Sequence, residues 1–280
     1  MGSVSVECSF YRPPKRPIRG LPMKIVTWNV NSIRARLPRL IPWLHENDPE
    51  IVCLQETKVV DDLFPQEELE DEGYNVLKFG QKTYNGVAIL SQYPIENITK
   101  GLPDDDPDEE NREARVLGCQ VDKYQILNLY VPNGSDIESE KFMYKLQWLK
   151  RLQKMLEQTY QPKDRLVVTG DFNITFDDRD VYDPEEWREK IHCSTPERKA
   201  MKKLMDFGLH DGLRKFHEHR DIYTWWDFRT RGFQRNAGLR IDHFLLSASA
   251  LKSCKGVEVD MSARDGQGPS DHAPVIATFR

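Results

Sequence analysis

The apolar residues of this chain fall mostly into short runs, each closed by glycine, proline or a polar side chain. Such runs predict buried strands. They span residues 23–30, 51–54, 74–79, 86–91, 116–121, 126–131, 166–169, 241–247 and 275–279. The runs 74–79 and 86–91 form one strand pair across a turn bearing Gly and Asn, and 116–121 and 126–131 form another. Helical spacing is clearest over 139–160, where Phe142, Leu146, Leu149, Leu152, Leu156 and Tyr160 recur at three- and four-residue steps. Residues 34–47 predict a second helix, weakened or kinked by Pro38 and Pro42. A third starts at Thr195, a hydroxyl N-cap with Pro196 at the first helical position, and runs to about Phe207. Helices alternate loosely with strand pairs and no Gly/Ser linker intervenes, so residues 23–280 read as a single α/β domain. Residues 1–22, with four basic residues, four prolines and no amphipathic period, read as a flexible extension.

The polar residues that close these runs are the candidate chemistry. In Arg165-Leu166-Val167-Val168-Thr169-Gly170-Asp171-Phe172-Asn173, strand alternation puts Asp171 and Asn173 on one face and Phe172 on the other. The same residues also suit the start of a turn. A similar strand end, Trp28-Asn29-Val30-Asn31, is a faint internal echo, and two such strands could face each other across packed sheets. Glu56, Tyr130, Asp242 and Asp271-His272 also stand at strand ends. One such residue is unremarkable, but six strand ends with acids, amides, Tyr or His suggest a shared rim. Glu56 among asparagine amides suits a hard cation such as magnesium, or is simply a solvated acid. His272 held by a carboxylate such as Asp242 is a tuned acid or base; a surface loop histidine is the alternative. The other six histidines carry no such signal. Nucleophilic-elbow, P-loop and dinucleotide-binding patterns are absent.

Charge refines this picture. The net charge is −5, which does not advertise a nucleic-acid binder. However, residues 104–113 concentrate seven acids with one arginine. The rest carries 39 basic residues (40 less one) and 38 acidic ones (45 less seven), which leaves room for a basic face. Residues 214–240 hold seven Lys/Arg against three acids, interleaved with six aromatics. Cations alternating with aromatic faces suit a phosphate backbone and an unstacked sugar or base. The five cysteines are scattered, with no C-x-x-C pair, which predicts a reducing, cytoplasmic setting. No apolar run approaches membrane-spanning length.

Taken together, the strand ends closely resemble the exonuclease III family of apurinic/apyrimidinic endonucleases, within the endonuclease/exonuclease/phosphatase superfamily. The matching segments are Trp28-Asn29-Val30-Asn31, Leu54-Gln55-Glu56-Thr57-Lys58, Tyr130-Val131-Pro132-Asn133-Gly134, Gly170-Asp171-Phe172-Asn173, Gly238-Leu239-Arg240-Ile241-Asp242 and Ser270-Asp271-His272-Ala273-Pro274. Each is weak alone, but all six in order are specific. Tyr223-Thr224-Trp225-Trp226-Asp227 adds a match to the DNA-repair branch.

The resemblance implies a four-layer α/β sandwich of two packed mixed β-sheets flanked by helices. It implies hydrolysis of the phosphodiester 5′ to abasic sites in double-stranded DNA, with 3′→5′ exonuclease and 3′-phosphatase activity, by a monomer. Tyr130, Asp171, Asn173, Asp242 and His272 are the implied catalytic residues, with Asp171 as base and Asp242 orienting His272. The implied cation, magnesium with manganese as the alternative, has Glu56 as main ligand. Asn29, Asn31, Asp171, Asn173, Asp271 and His272 complete the candidate metal set, and Asn29 is also a candidate brace. Arg115, Trp225, Arg229, Arg231, Arg235, Leu239 and Ile241 are the expected DNA contacts, with Trp225, Leu239 and Ile241 walling a pocket for a base-free sugar. Two departures stand out. Asn31 occupies a position where the family often has aspartate, and residues 182–193 match no family pattern. The competing readings are a phosphoesterase acting on a phosphoinositide, sphingomyelin or RNA, and a non-catalytic DNA-binding protein.

Overall fold

Side-chain alternation in the central strands sets the layering. In β1 (Met23–Asn29), Ile25 points into one apolar cluster while Val26 and Trp28 point into another on the opposite face. β8 (Leu166–Asp171) does the same, with Val167 on one side and Leu166 and Val168 on the other. A strand with two apolar faces needs a cover on each side. The result, in a computed structural model that describes residues 22–106 and 112–280, is two sheets packed face to face with helices outside both. The expected extension up to residue 21 and the middle of the acidic run lie outside the described residues.

Chain order runs β1, α1 (Ile33–Asn47), β2 (Ile51–Gln55), α2 (Gln66–Asp71), β3 (Asn75–Phe79), β4 (Val87–Ser91), β5 (Ile95–Lys100), β6 (Val116–Val121), β7 (Tyr124–Tyr130), α3 (Glu140–Thr159), β8, α4 (Thr195–Met205), β9 (Leu209–Asp211), β10 (Asp242–Ser247), α5 (Ala248–Ser253), β11 (Cys254–Val259) and β12 (Val275–Phe279). One sheet has the order β11-β12-β1-β2-β4-β3 and the other β5-β6-β7-β8-β10-β9. Each contains one parallel pair at its centre, β1 with β2 and β7 with β8, and is otherwise antiparallel. The sheets enclose a core that includes Ile25, Ile51, Ile126, Val167 and Phe244. Trp43 and Leu44 of α1 cover one outer face; Leu152 and Leu156 of α3 and Met201 of α4 cover the other. Each fully buried Leu or Ile contributes about 1.5–3 kcal/mol. This is the expected four-layer sandwich. None of the described helices is long and apolar enough to cross a membrane.

Local chemistry explains most boundaries. Ser139 caps α3 by accepting the amide of Phe142. α4 is capped one residue earlier than expected, by Ser194 rather than Thr195. Ser194 N and Oγ both donate to Glu197 Oε2, so the Ser-x-x-Glu spacing outcompetes Thr195. α1 runs through Pro38 and Pro42. Both prolines lie on the exposed face, while Leu40, Trp43 and Leu44 bury the other, and that burial outweighs two missing amide bonds. β5, β9 and β11 were not anticipated: β5 and β11 are largely polar and β9 has three residues, so none carries a long apolar run. Gly170 has a φ of +140°, and a Cβ there would lie 1.9 Å from the carbonyl oxygen of Leu129. Only glycine lets β8 approach β7 just before Asp171. The described cysteines, Cys53, Cys119, Cys193 and Cys254, are free and buried.

One ion network lies inside the fold. Arg240, fully buried, donates from Nε to Asp180 Oδ1 at 2.8 Å and from Nη2 to Asp211 Oδ2 at 2.7 Å. Arg214 also bonds Asp180. Two of the seven cations in the basic–aromatic segment are therefore structural. Burial alone would raise the Asp180 carboxyl, but Arg240 holds it well below the usual carboxylate range. We predict that Arg240→Met, which takes the buried cation from Asp180 and from the half-buried Asp211, destabilises the protein by about 3–5 kcal/mol. Urea unfolding measures this, and a loss below about 1 kcal/mol would show that Arg214 carries the network instead.

Candidate active site

The strand ends named above meet at one edge of the sandwich. The opening of three of them depends on residues in the left-handed region: Asn31 at φ 45°, Glu56 at φ 52° and Asn173 at φ 52°. Asparagine enters that region readily, whereas glutamate does so at a cost of about 1–3 kcal/mol. The turned carbonyl of Glu56 accepts the amide of Ser32 at 2.7 Å, which ties the exit of β2 to the turn after β1. The internal echo is a repeated Asx turn. Asn29 Oδ1 accepts the amide of Asn31 at 3.0 Å, and Asp171 Oδ1 accepts the amide of Asn173 at 2.8 Å. The turn reading of Asp171 holds, and the turn leaves Oδ2 of the same carboxylate facing Asn29.

The two echoing strands face each other across the sheets. Asn29 Nδ2 donates to Asp171 Oδ2 at 2.9 Å and to Glu56 Oε1 at 2.8 Å. Both ends of the Asn29 amide are engaged, so this geometry supplies the expected brace. His272 Nδ1 bonds Asp242 Oδ2 at 2.8 Å, and its Nε2 lies 3.8 Å from Asp171 Oδ2. Asp242 and Asp171 are directly paired across β10 and β8. Asn31 Nδ2 and Trp225 Nε1 hold the two oxygens of Asp271 at 2.9 and 3.0 Å. Asn173 bridges Val131 and Asn133 through its side-chain amide.

This crowding sets the protonation states. Burial pulls the His272 imidazole down, but Asp242 and Asp171 outweigh it and push it up to about 10. His272 is therefore an imidazolium at neutral pH. Burial pushes the Asp171 carboxyl up to about 7, opposed by His272 and reinforced by Asp242. The Tyr130 phenol is raised well above its ordinary value by desolvation and by Glu56 and Asp171, and keeps its proton. Burial would raise Asp271, but His272 and its bonds from Asn31 and Trp225 leave it lowered.

Atoms of Glu56, Asp171 and His272 lie within 4.8 Å of one another, close enough for one metal ion. The fit of this patch to a cation is visible in Lys58. Its ammonium bonds Glu56 Oε2 at 2.7 Å and Asn31 Oδ1 at 2.6 Å, so these two oxygens are already arranged around a positive charge. Carboxylate and carboxamide oxygens are the donors hard divalent ions prefer. His272 Nδ1 is committed to Asp242, which leaves Nε2 as its atom on the Asp171 side.

The DNA contacts fare unevenly. Arg115 is spent inside the protein: it bonds Glu113 at 2.9 Å and the carbonyl of Tyr130, with its guanidinium over the Tyr130 ring. It supports Tyr130. Arg229, Arg231 and Arg235 are exposed, with Arg229 bonded to Asp227. Trp225, Leu239 and Ile241 do gather in one apolar cluster, with Val181, Cys193 and Trp187. Leu239 and Ile241 are nevertheless fully buried, because Trp187 and Val181 cover them, so only Trp225 of the expected wall reaches the surface. Sequence reasoning missed Trp187 and His192, which sit in the unmatched stretch 182–193. His192, treated as unremarkable, donates from Nδ1 to the carbonyl of Asn173 at 2.6 Å and packs against Trp225 and Trp187. A tryptophan in an acidic stretch was the available signal.

The comparisons with known proteins agree with this geometry. Residues 26–272 match the endonuclease/exonuclease/phosphatase family. The chain belongs to that family. Within it, the exonuclease III branch is the near one. The chain is 35% identical to exodeoxyribonuclease III of Haemophilus influenzae, over 92% of this chain and all of that protein. The solved 3′ phosphatase NExo from Neisseria, bound to a product DNA hairpin, is 44% identical with a TM-score of 0.87, covering 92% and 99% of the two chains. An AP endonuclease from Archaeoglobus fulgidus is 39% identical with a TM-score of 0.86 over the same shares. The chain is an exonuclease III-type hydrolase.

Imidazole titration by NMR tests these charge states. Burial, reinforced by Lys145 for His192 and Arg240 for His243, lowers both imidazoles to about 4. Their folded pKa lies below the unfolded one of about 6.5, so their contribution is present above that pH and lost as pH falls toward 4. We expect both to stay neutral at pH 6 and stability to drop between pH 6.5 and 4. His272 has the opposite sign: raised to about 10, its contribution is full below about 6.5 and lost as pH climbs toward 10. Asp242→Asn removes the chief raising charge, and we expect the His272 titration to fall by at least about two units. A neutral His272 at pH 7 in the unmodified protein would contradict the assignment.

Proposed function

We propose that this exonuclease III-type hydrolase cuts the phosphodiester 5′ to abasic sites in duplex DNA, leaving a 3′-hydroxyl. The observation that carries the reading is the Asp171–His272–Asp242 row facing Glu56 across two sheets, in a chain of that family. Asp171, poised near neutral and hydrogen-bonded by Asn29 and the amide of Asn173, takes the proton of the attacking water. The His272 imidazolium faces the same point and stabilises charge developing on the phosphate oxygens. The protonated Tyr130 phenol, backed by Arg115, offers a further donor to that phosphate. A divalent cation, magnesium by the hardness of its donors, supplies charge neutralisation when bound by Glu56 with Asn31 and Asp271 beside it. Asn31 brings no charge, so the ion is held more weakly than by an aspartate there. Arg229, Arg231 and Arg235 take backbone phosphates, and Trp225 and Trp187 offer aromatic faces to the lesion sugar. One chain supplies every residue, so a monomer suffices.

A second activity, removal of 3′-terminal phosphates and nucleotides, is supported by the 44% identity to a Neisseria 3′ phosphatase. A phosphate monoester at a 3′ end presents the same oxygens to the same residues.

A 5′-labelled duplex with a single abasic analogue separates these outcomes. We expect nicking at the analogue with magnesium, none with EDTA, and shortening from the 3′ end on longer incubation. Asp171→Asn is expected to lose about 10²–10⁴ in rate while still binding the duplex. Nicking that persists in EDTA would rule out the cation, and trimming without nicking would restrict the activity to 3′ ends.

A further inference from the structure

Lys145 is a fully buried cation with no part in the chemistry above. It rises from α3 behind the site, and its ammonium donates three hydrogen bonds, to Glu197 Oε1 at 2.5 Å, the carbonyl of Asn173 at 2.7 Å and the carbonyl of Asn133 at 3.0 Å. Three is all an ammonium has. The two carbonyls belong to the exits of β7 and β8, whose last residues, Tyr130 and Asp171, are paired in register. One cation therefore ties together the strand ends that carry the phenol and the carboxylate.

The link to Asp171 is direct. The left-handed turn at Asn173 points its carbonyl inward to Lys145 and His192. The amide of the same residue donates to Asp171 Oδ1. Gripping the carbonyl of Asn173 thus fixes the donor that aims the carboxylate. Glu197 serves as more than a counter-ion: its oxygens accept the amides of His192 and Ser194, which brings the 192–194 segment into the same clamp. Stability alone does not call for such a pair, since buried ion pairs are often no better than packed apolar residues. Geometry does.

We propose that Lys145, anchored by Glu197, is a positioning residue that aligns Asp171 and Tyr130 through the main chain of Asn173 and Asn133. The proposal rests on the hydrolytic reading above. The test compares the unmodified protein with Lys145→Met/Glu197→Leu, which removes both charges together, and with Glu197→Gln. Rates on the abasic duplex are read beside the NMR signals of the Asn173 side-chain amide and the Asp171 carboxyl. The double variant also loses the bonds from Glu197 to the amides of His192 and Ser194, so we expect a lowered unfolding midpoint in a chain still folded at the assay temperature. We also expect both signals to shift, and kcat per folded molecule to fall about 10- to 100-fold while KM moves less than about threefold. A double variant with unshifted signals and kcat within about twofold overturns the proposal. If the double variant does not fold, Glu197→Gln decides: an altered Asp171 signal with a lower kcat supports the clamp, and unchanged values overturn it. An unmodified protein that hydrolyses no DNA would instead sink the functional reading, and the two NMR signals would still judge the clamp.

Discussion

Asp171, Asp242 and Glu56 converge where two sheets meet, with little water to separate their charges. Coulomb repulsion at such distances is large in a protein interior. The rest of the site follows from relieving it. His272 is kept protonated between Asp242 and Asp171. Asn29 gives one amide to two carboxylates, and Lys58 lies against Glu56 and Asn31. A cluster so short of positive charge is prepared for a divalent ion and for the polarised groups of phosphate hydrolysis. Burial, reinforced by the charges of Asp242 and Glu56, raises the proton affinity of Asp171.

The scaffold meets this demand by repetition. Both sheets are built around a parallel pair, and in each a strand of that pair ends in an Asx turn, Asn29 to Asn31 in one and Asp171 to Asn173 in the other. Face-to-face packing then sets the two turns opposite each other. The two turns differ in charge, amide in one and acid in the other, and that difference lets them hydrogen-bond rather than repel. Behind this rim the fold spends buried cations on alignment. Arg240 fixes the segment that carries Asp242, and Lys145 spans the exits of β7 and β8.

Much of this was legible in the chain. Apolar runs located nine of the strands and three of the helices, because burial on two faces leaves a continuous signal. The rim residues were legible as polar stops to those runs, and their order gave the family. The edge strands were not, since β5 is polar and solvated on most positions. The internal partners of Arg115, Glu113 and the carbonyl of Tyr130, were not legible either, because a basic residue in sequence does not disclose what it pairs with. Leu239 and Ile241 sat correctly beside Trp225, but a linear pattern could not show Trp187 closing over them.

By itself, then, the sequence determined the layers, the strand ends and the set of reactive residue types, since each is written in local alternation and turn chemistry. Tertiary structure alone decided which of those residues touch. It split Asn29 between Glu56 and Asp171, gave Lys58 to the presumed metal oxygens, made His192 a partner of Asn173 and turned Lys145 into a clamp. The physical reason is separation along the chain. Asn29 and Asp171 are 142 residues apart, and a bond of that range depends on the packing of two whole sheets, which no local pattern records.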